Sequence, residues 1–169
     1  CDCKVCQSSD SRDRRLRVSI LCKVHNFNVV IDTGPDFRYQ MLRSGQNTLD
    51  AVLITHQHRD HVAGLDDIRP FNFRYGIDMP VYATKKVQDA LRKSYDYIFA
   101  ADYPGVPRVL FKNVEKDQPF RLGNFHCQPI EYFHGALPVM GFRIADFAYL
   151  TDFKTIEKEQ LQYLEDLDC

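Results

Sequence analysis

Apolar and polar residues alternate with a period of two near the start of the chain. Arg17-Val18-Ser19-Ile20-Leu21-Cys22-Lys23 reads as a strand, His25-Asn26 as a turn, and Phe27-Asn28-Val29-Val30-Ile31 as the returning strand. His25 is therefore assigned to the turn and not to a site. Residues 37–43 fit a short helix stopped by Gly45. Ala51-Val52-Leu53-Ile54 is an unbroken apolar run that reads as a short buried strand. A helix begins near Val62, and Arg69-Pro70-Phe71-Asn72-Phe73 interrupts it as an aromatic loop. Pro80-Val81-Tyr82-Ala83 is a short strand, and Thr84 caps a helix running to about Phe99. Val87, Leu91, Tyr95 and Ile98 share one face of that helix and form core. Residues 102–107 are loop, and strands follow at 109–111, 125–132 and 140–149. Residues 155–169 predict a terminal helix with Ile156, Leu161, Leu164 and Leu167 on its apolar face. The order predicts one layered α/β domain over residues 1–169 with mixed sheets.

Composition narrows the class. A length of 169 residues suits one substantial core and is short for two. The formal net charge of -1 gives no global basic field, so bulk attraction to nucleic acid is not indicated. No apolar run approaches the ~20 residues that span a bilayer, and no signal peptide is visible. The sequence begins with Cys1 rather than Met, so an N-terminal piece is expected to precede it. Of the six cysteines, Cys1, Cys3 and Cys6 crowd the start as C-x-C-x-x-C, whereas Cys22 and Cys127 sit in apolar runs as core thiols. This placement argues against a disulfide framework and for a reducing cytoplasm with thiolate metal ligation.

The stretch Thr55-His56-Gln57-His58-Arg59-Asp60-His61 carries the chemistry. It follows the apolar strand 51–54. In an extended backbone residues two apart share a side, so His56 and His58 are expected to present their rings to one ion. Where the chain turns helical, Asp60 and His61 point elsewhere and serve a second. Such nitrogen and carboxylate donors suit zinc, manganese or iron. Asp32-Thr33-Gly34 ends the second strand, and on local grounds Asp32 is equally a sheet-edge carboxylate or a helix cap. His134 and Asp152 also stand just past predicted strands, which would bring further donors to one edge.

His56-x-His58-x-Asp60-His61, with Asp32-Thr33-Gly34 before it and His134 and Asp152 after it, resembles the metallo-β-lactamase fold superfamily. The resemblance implies an αββα sandwich with two divalent metals, zinc or manganese, at one edge. It implies His56, His58 and His134 on the first metal, Asp60 and His61 on the second, and Asp152 bridging them. Asp32 would stand behind them and orient a ligand. The family pattern also asks for a last histidine beyond Asp152. None follows, so the C-terminal part of the sandwich is expected to lie outside this chain. The N-terminal cysteines resemble the subgroup containing the phosphoribosyl cyclic phosphate diesterase. That likeness implies a structural zinc on Cys1, Cys3 and Cys6, with its fourth ligand elsewhere. A redox-active cysteine pair is the weaker alternative.

The function so implied is a metal-dependent hydrolase of a small, cyclic phosphodiester. Two metals would lower the pKa of a shared water to about 7 and offset phosphoryl charge. Asp60 is expected to act in catalysis as well as ligation, and no residue of the chain is assigned as general acid. Arg69, Arg74 and Tyr103 lie in predicted loops that could touch substrate, but packing roles fit each better. The alternatives are a nuclease resembling tRNA 3′-processing members, a thiolester or β-lactam hydrolase, and a non-catalytic metal-binding scaffold. The expected partner is a small phosphodiester, with nucleic acid less favoured, no membrane, and room for a homodimer.

Overall fold

The computed structural model describes residues 1–100 and 104–169, and builds them around two five-stranded sheets. In the first, β1 (Ile20–Val24) and β2 (Phe27–Ile31) form the hairpin around His25-Asn26. His25 adopts φ 54, a turn conformation. Next to β2, the strands β3 (Ala51–Leu53), β4 (Met79–Ala83) and β5 (Val109–Asn113) run parallel in that order. The second sheet is antiparallel, with β7 (Phe125–His134), β8 (Leu137–Ile144) and β9 (Phe147–Tyr149) in sequence. Both β6 (Phe120–Leu122) and β10 (Thr155–Ile156) pair with β7.

Alternation along the strands sorts the apolar residues into two cores. Val30, Val52, Ile54 and Val81 face the helices α1 (Phe37–Ser44), α3 (Arg69–Tyr75) and α4 (Lys85–Ser94). Their sequence neighbours Val29, Ile31, Ala51 and Leu53 face Leu122, Cys127 and Phe142 of the second sheet. Strands β2 and β3 are thus buried on both faces, which is why their sequences read as apolar runs. The layering of helices, sheet and sheet is as expected. Among the described residues no helix is long and apolar enough to cross a membrane.

Several boundaries differ from the sequence pattern. Strand β1 starts at Ile20 rather than Arg17, because side chains take over the Arg17 backbone. Its N–H donates to Asp36 Oδ2 at 2.8 Å and its carbonyl accepts from Gln40 Nε2 at 2.7 Å. The expected aromatic loop at residues 69–73 is helix α3, since Pro70 falls in its first turn, where a missing N–H costs nothing. The helix from Thr84 breaks at Tyr95 and resumes as α5 (Asp96–Phe99). The Tyr95 hydroxyl there donates to Val62 O at 2.6 Å. Residues 140–149 fold as the β8–β9 hairpin, turning at Ala145 with φ 54.

The C-terminal helix is also corrected. Lys158–Leu164 is a 3₁₀ segment lying along β7, and its buried residue is Gln160 rather than an apolar stripe. Gln160 Oε1 accepts from Glu131 N at 2.9 Å, and its Nε2 donates to Asp117 Oδ1 at 2.6 Å. Leu161 is left exposed. A polar anchor has replaced the amphipathic face. Tyr103 and Asp102 lie outside the described residues.

One close approach ties the loop after β2 to α2 (Arg59–Val62). Thr33 N donates to His61 O and Gly64 N donates to Thr33 O, each at 2.8 Å. A Cβ on Gly64 would collide with the carbonyl oxygen of Gly34, and one on Gly34 with that of Asp60. Both obstacles are backbone and cannot rotate away. Gly64→Ala is therefore expected to lower stability by about 1–3 kcal/mol, seen as a lower urea midpoint. An unchanged midpoint would mean the two loops separate freely.

Candidate metal centre

The donors gather where strands end. Asp32 follows β2, His56 and His58 follow β3, His134 ends β7, and Asp152 follows β9. Asp60 and His61 lie in α2, with His58 as its N-cap residue. Asp32 and Asp152 both hold left-handed backbone, at φ 65 and φ 55. Such conformations in non-glycine residues persist where surrounding contacts enforce them.

Asp32 is fully buried and accepts three hydrogen bonds. Thr55 N donates to Oδ1 at 2.8 Å, Thr55 Oγ1 donates to Oδ2 at 2.8 Å, and His61 Nδ1 donates to Oδ2 at 2.7 Å. Burial pushes the Asp32 carboxyl up from its ordinary range, and the His61 and Thr55 donors oppose that. Burial alone would lower His61, but the bond to Asp32 and the charges of Asp32, Asp152 and Asp60 together lift the imidazole.

This network assigns the buried histidine tautomers. The one Thr55 hydroxyl proton goes to Asp32, so Thr55 Oγ1 accepts from His56 Nδ1, 3.0 Å away. His56 then carries its lone pair on Nε2. Burial, followed by repulsion from His61 and His58, pushes His56 down to about 4, so the ring is neutral at pH 7.

His56 Nε2 is buried and has no hydrogen-bond partner. It stands 3.6 Å from Asp152 Oδ2, and His61 Nε2 stands 3.2 Å from the same oxygen. A buried lone pair without a donor is costly unless something electropositive meets it. A divalent cation fits that requirement, and the donor set is of the zinc and manganese type.

The structure groups the donors in two sets with Asp152 in both. His56, His61 and Asp152 have donor atoms within 4.8 Å of one another, and so do His58, His134 and Asp152. Asp152 thus occupies the expected shared position. The His56 ring also lies 4.6 Å from that of His58, the neighbour the sequence reading gave it. Thr55 and Asp32 hold the His56 and His61 rings together, with centroids 4.2 Å apart. His58, outside that network, is exposed and lies 5.6 Å from His134. Asp60 reaches the group from its rim, with Oδ2 3.8 Å from His61 Nε2. Cys1, Cys3 and Cys6 form a separate exposed set within the same 4.8 Å limit. A hydrogen bond from Cys6 N lowers the Cys3 thiol from its ordinary value.

Arg69 donates to Gly105 O at 3.2 Å, and Arg74 lies over the Tyr75 ring. Both read as packing residues. Two contributors escaped the sequence pattern. Thr55 sets the His56 tautomer, and Tyr132 holds the backbone beside Asp152. The Tyr132 hydroxyl donates to Thr151 O at 2.6 Å and accepts from Thr151 N at 2.9 Å. Nothing local in Glu131-Tyr132-Phe133 signals this, since its partner is far along the chain.

Fold and site together define a metallo-β-lactamase-type domain. The model of the beta-lactamase superfamily domain matches residues 27–169, and the chain belongs to that family. It is 40% identical over 167 residues to an octanoyltransferase of Porphyromonas gingivalis, covering 98% of this chain and 34% of that protein. It is 39% identical to the crystal structure of a new diphosphatase from the PhnP family, with a TM-score of 0.91. That match covers 99% of this chain and 64% of the other. The MIM-2 metallo-β-lactamase, at 21% identity and a TM-score of 0.56, shares the fold over 86% of this chain and 62% of its own. The chain therefore spans about a third of the octanoyltransferase and less than two thirds of the diphosphatase.

Tyr132→Phe is expected to leave Thr151 N and O without their buried partner and to cost about 1–3 kcal/mol of stability. Hydrogen exchange at the Thr151 amide is the direct check. Protection equal to that of the unaltered chain would remove Tyr132 from this role.

Proposed function

We propose that this chain carries the metal-binding part of a hydrolase acting on a phosphoester, a small phosphodiester or a diphosphate. The observation that carries the reading is the unpartnered His56 Nε2, buried beside a carboxylate that belongs to both donor sets. The likeness to a PhnP-family diphosphatase supports phosphorus over carbon as the reacting centre. His56, His58, His61, His134, Asp60 and Asp152 would hold two divalent ions, zinc or manganese, with Asp152 shared. When bound, such ions lower the pKa of a water and offset charge on a phosphoryl oxygen.

The chain's own residues do the rest. Asp32 and Thr55 fix the His61 and His56 rings, and leave the His56 lone pair facing the site. Asp60, at the rim and half-exposed, accepts a proton of the attacking water and so aims its oxygen at phosphorus. Cys1, Cys3 and Cys6 would hold a further zinc that staples the N-terminal segment.

The name octanoyltransferase belongs to a protein three times the matched length. An eight-carbon acyl chain asks for an apolar sleeve, whereas the cleft bordering Asp60 and Asp152 is walled by arginines. The phosphoester reading is favoured on that ground.

His58→Ala is expected to reduce metal content and abolish hydrolysis of bis-p-nitrophenyl phosphate while leaving the circular dichroism spectrum intact. Unchanged turnover in that variant would sink the two-ion reading. Cys3→Ser should instead remove about one zinc per chain, in line with a single thiolate site, and lower the melting temperature. If zinc stoichiometry stays constant, the thiolate site is wrong.

A further inference from the structure

A groove of about 280 Å³ lies between α1 and α3. Buried Met41 and Phe71 form its floor, and exposed Arg38, Leu42 and Arg74 stand on its rim. Helical spacing explains the arrangement. Arg38, Met41 and Leu42 are i, i+3 and i+4 on α1, and so share one face. On α3, Pro70, Phe73 and Arg74 repeat that spacing. The apolar surface continues beyond the groove. Of the ten large hydrophobic side chains exposed among the described residues, Tyr39, Leu42, Phe73, Tyr75 and Ile77 fall on these two helices or just after them. Half of the exposed apolar side chains thus belong to one face, which is how a contact surface differs from scattered exposure.

This face is remote from the metal donors. Strands β2, β3 and β4 are parallel, so the chain returns to the opposite edge before β3 and again before β4 begins. Gln46, Asn47 and Tyr75 stand at that far edge. There the Tyr75 hydroxyl donates to Asn47 O at 2.7 Å and ties the two sides of the groove together. Gln46 lines the groove, and its Oε1 is buried without a donor. Such an acceptor is costly to leave unmet. Charge on the lining is uneven, with Arg38 and Arg74 against the single acid Asp67. Among the described residues no carboxylate or carbonyl takes either guanidinium, and Arg74 is held over the Tyr75 ring.

We propose that the α1–α3 groove docks an acidic, amphipathic segment of a partner protein. An apolar side chain of that segment enters over Met41 and Phe71, its carboxylates meet Arg38 and Arg74, and one of its N–H groups reaches Gln46 Oε1. Aromatic and arginine side chains around an apolar floor are the composition of a protein contact. A lipid tail has no N–H for Gln46, and a nucleic acid backbone has no apolar anchor for the floor. A two-fold contact between copies of this chain would set a patch against itself, arginine facing arginine. The surface shares no residue with the metal donors, and stands whether or not the hydrolase reading holds.

The test uses two fluorescein-labelled helical peptides of about 14 residues with leucines at i, i+3, i+4 and i+7. One carries glutamates at its other exposed positions and the second carries lysines. Fluorescence polarisation should show the glutamate peptide binding more tightly by about tenfold or more, because like charges at a contact repel. Leu42→Ala should weaken that binding, and Arg38→Ala/Arg74→Ala should abolish the preference for glutamate. These side chains are exposed, so circular dichroism should match the unaltered chain. Leu110→Ala, an exposed leucine outside the groove, should change nothing. Hydrogen exchange should slow in residues 38–47 and 70–75 when the glutamate peptide is added.

Equal affinity for the two peptides, or undiminished binding in both groove variants, overturns the proposal. So does binding of phosphatidylglycerol vesicles that the groove variants abolish while neither peptide binds, since a membrane would then be the occupant. Sedimentation showing a dimer of the unaltered chain that Leu42→Ala dissociates would assign the face to a second copy, and overturns it as well.

Discussion

The site depends on one buried carboxylate. Asp32 sits at the end of β2 with no exposed surface, and takes hydrogen bonds from two groups of Thr55 and one of His61. A buried carboxylate with fewer donors would be protonated or expelled. Satisfied in this way, it locks the end of β3 to the end of β2 and draws in α2. The loop geometry follows from that demand. Thr33 N donates to His61 O, and Gly64 N to Thr33 O, across a gap that only glycines at positions 34 and 64 leave open. Metal-site geometry is thus a consequence of packing around an acid that need not touch a metal.

The same network divides the donors into a fixed pair and an adjustable pair. His56 and His61 are buried and oriented by Thr55 and Asp32. His58 and His134 are exposed, and face each other edge to face. Asp152 stands between the sets, its left-handed backbone held through Thr151 by the Tyr132 hydroxyl. A preorganised half beside a yielding half is suited to chemistry in which coordination changes as a substrate enters.

Much of this was legible because it is local. The period-two pattern around His25-Asn26 identifies the first hairpin, and the apolar run at Ala51 locates the strand that leads into the histidines. The seven residues from Thr55 to His61 hold four donors within reach of one strand end, so spacing alone brings them together. What escaped depends on distant partners. The C-terminal segment carries a helical apolar pattern, but a glutamine anchored to Glu131 and Asp117 decides its course. Strand β1 begins late because Asp36 and Gln40 capture the Arg17 backbone. The sharing of His56 with His61 was hidden for the same reason. Residue spacing puts His56 beside His58, and the Asp32 network adds His61 as a second neighbour.

The arginine wall extends this logic to the N-terminal segment. Read in sequence, Ser11-Arg12-Asp13-Arg14-Arg15 is a solvated charge run following a cysteine cluster. In the fold, the Arg17 backbone is fastened to α1 and Ser19 to Asp32, so the run is carried along the border of the donor cleft. The exposed thiols of Cys1, Cys3 and Cys6 lie at the far end of the same segment.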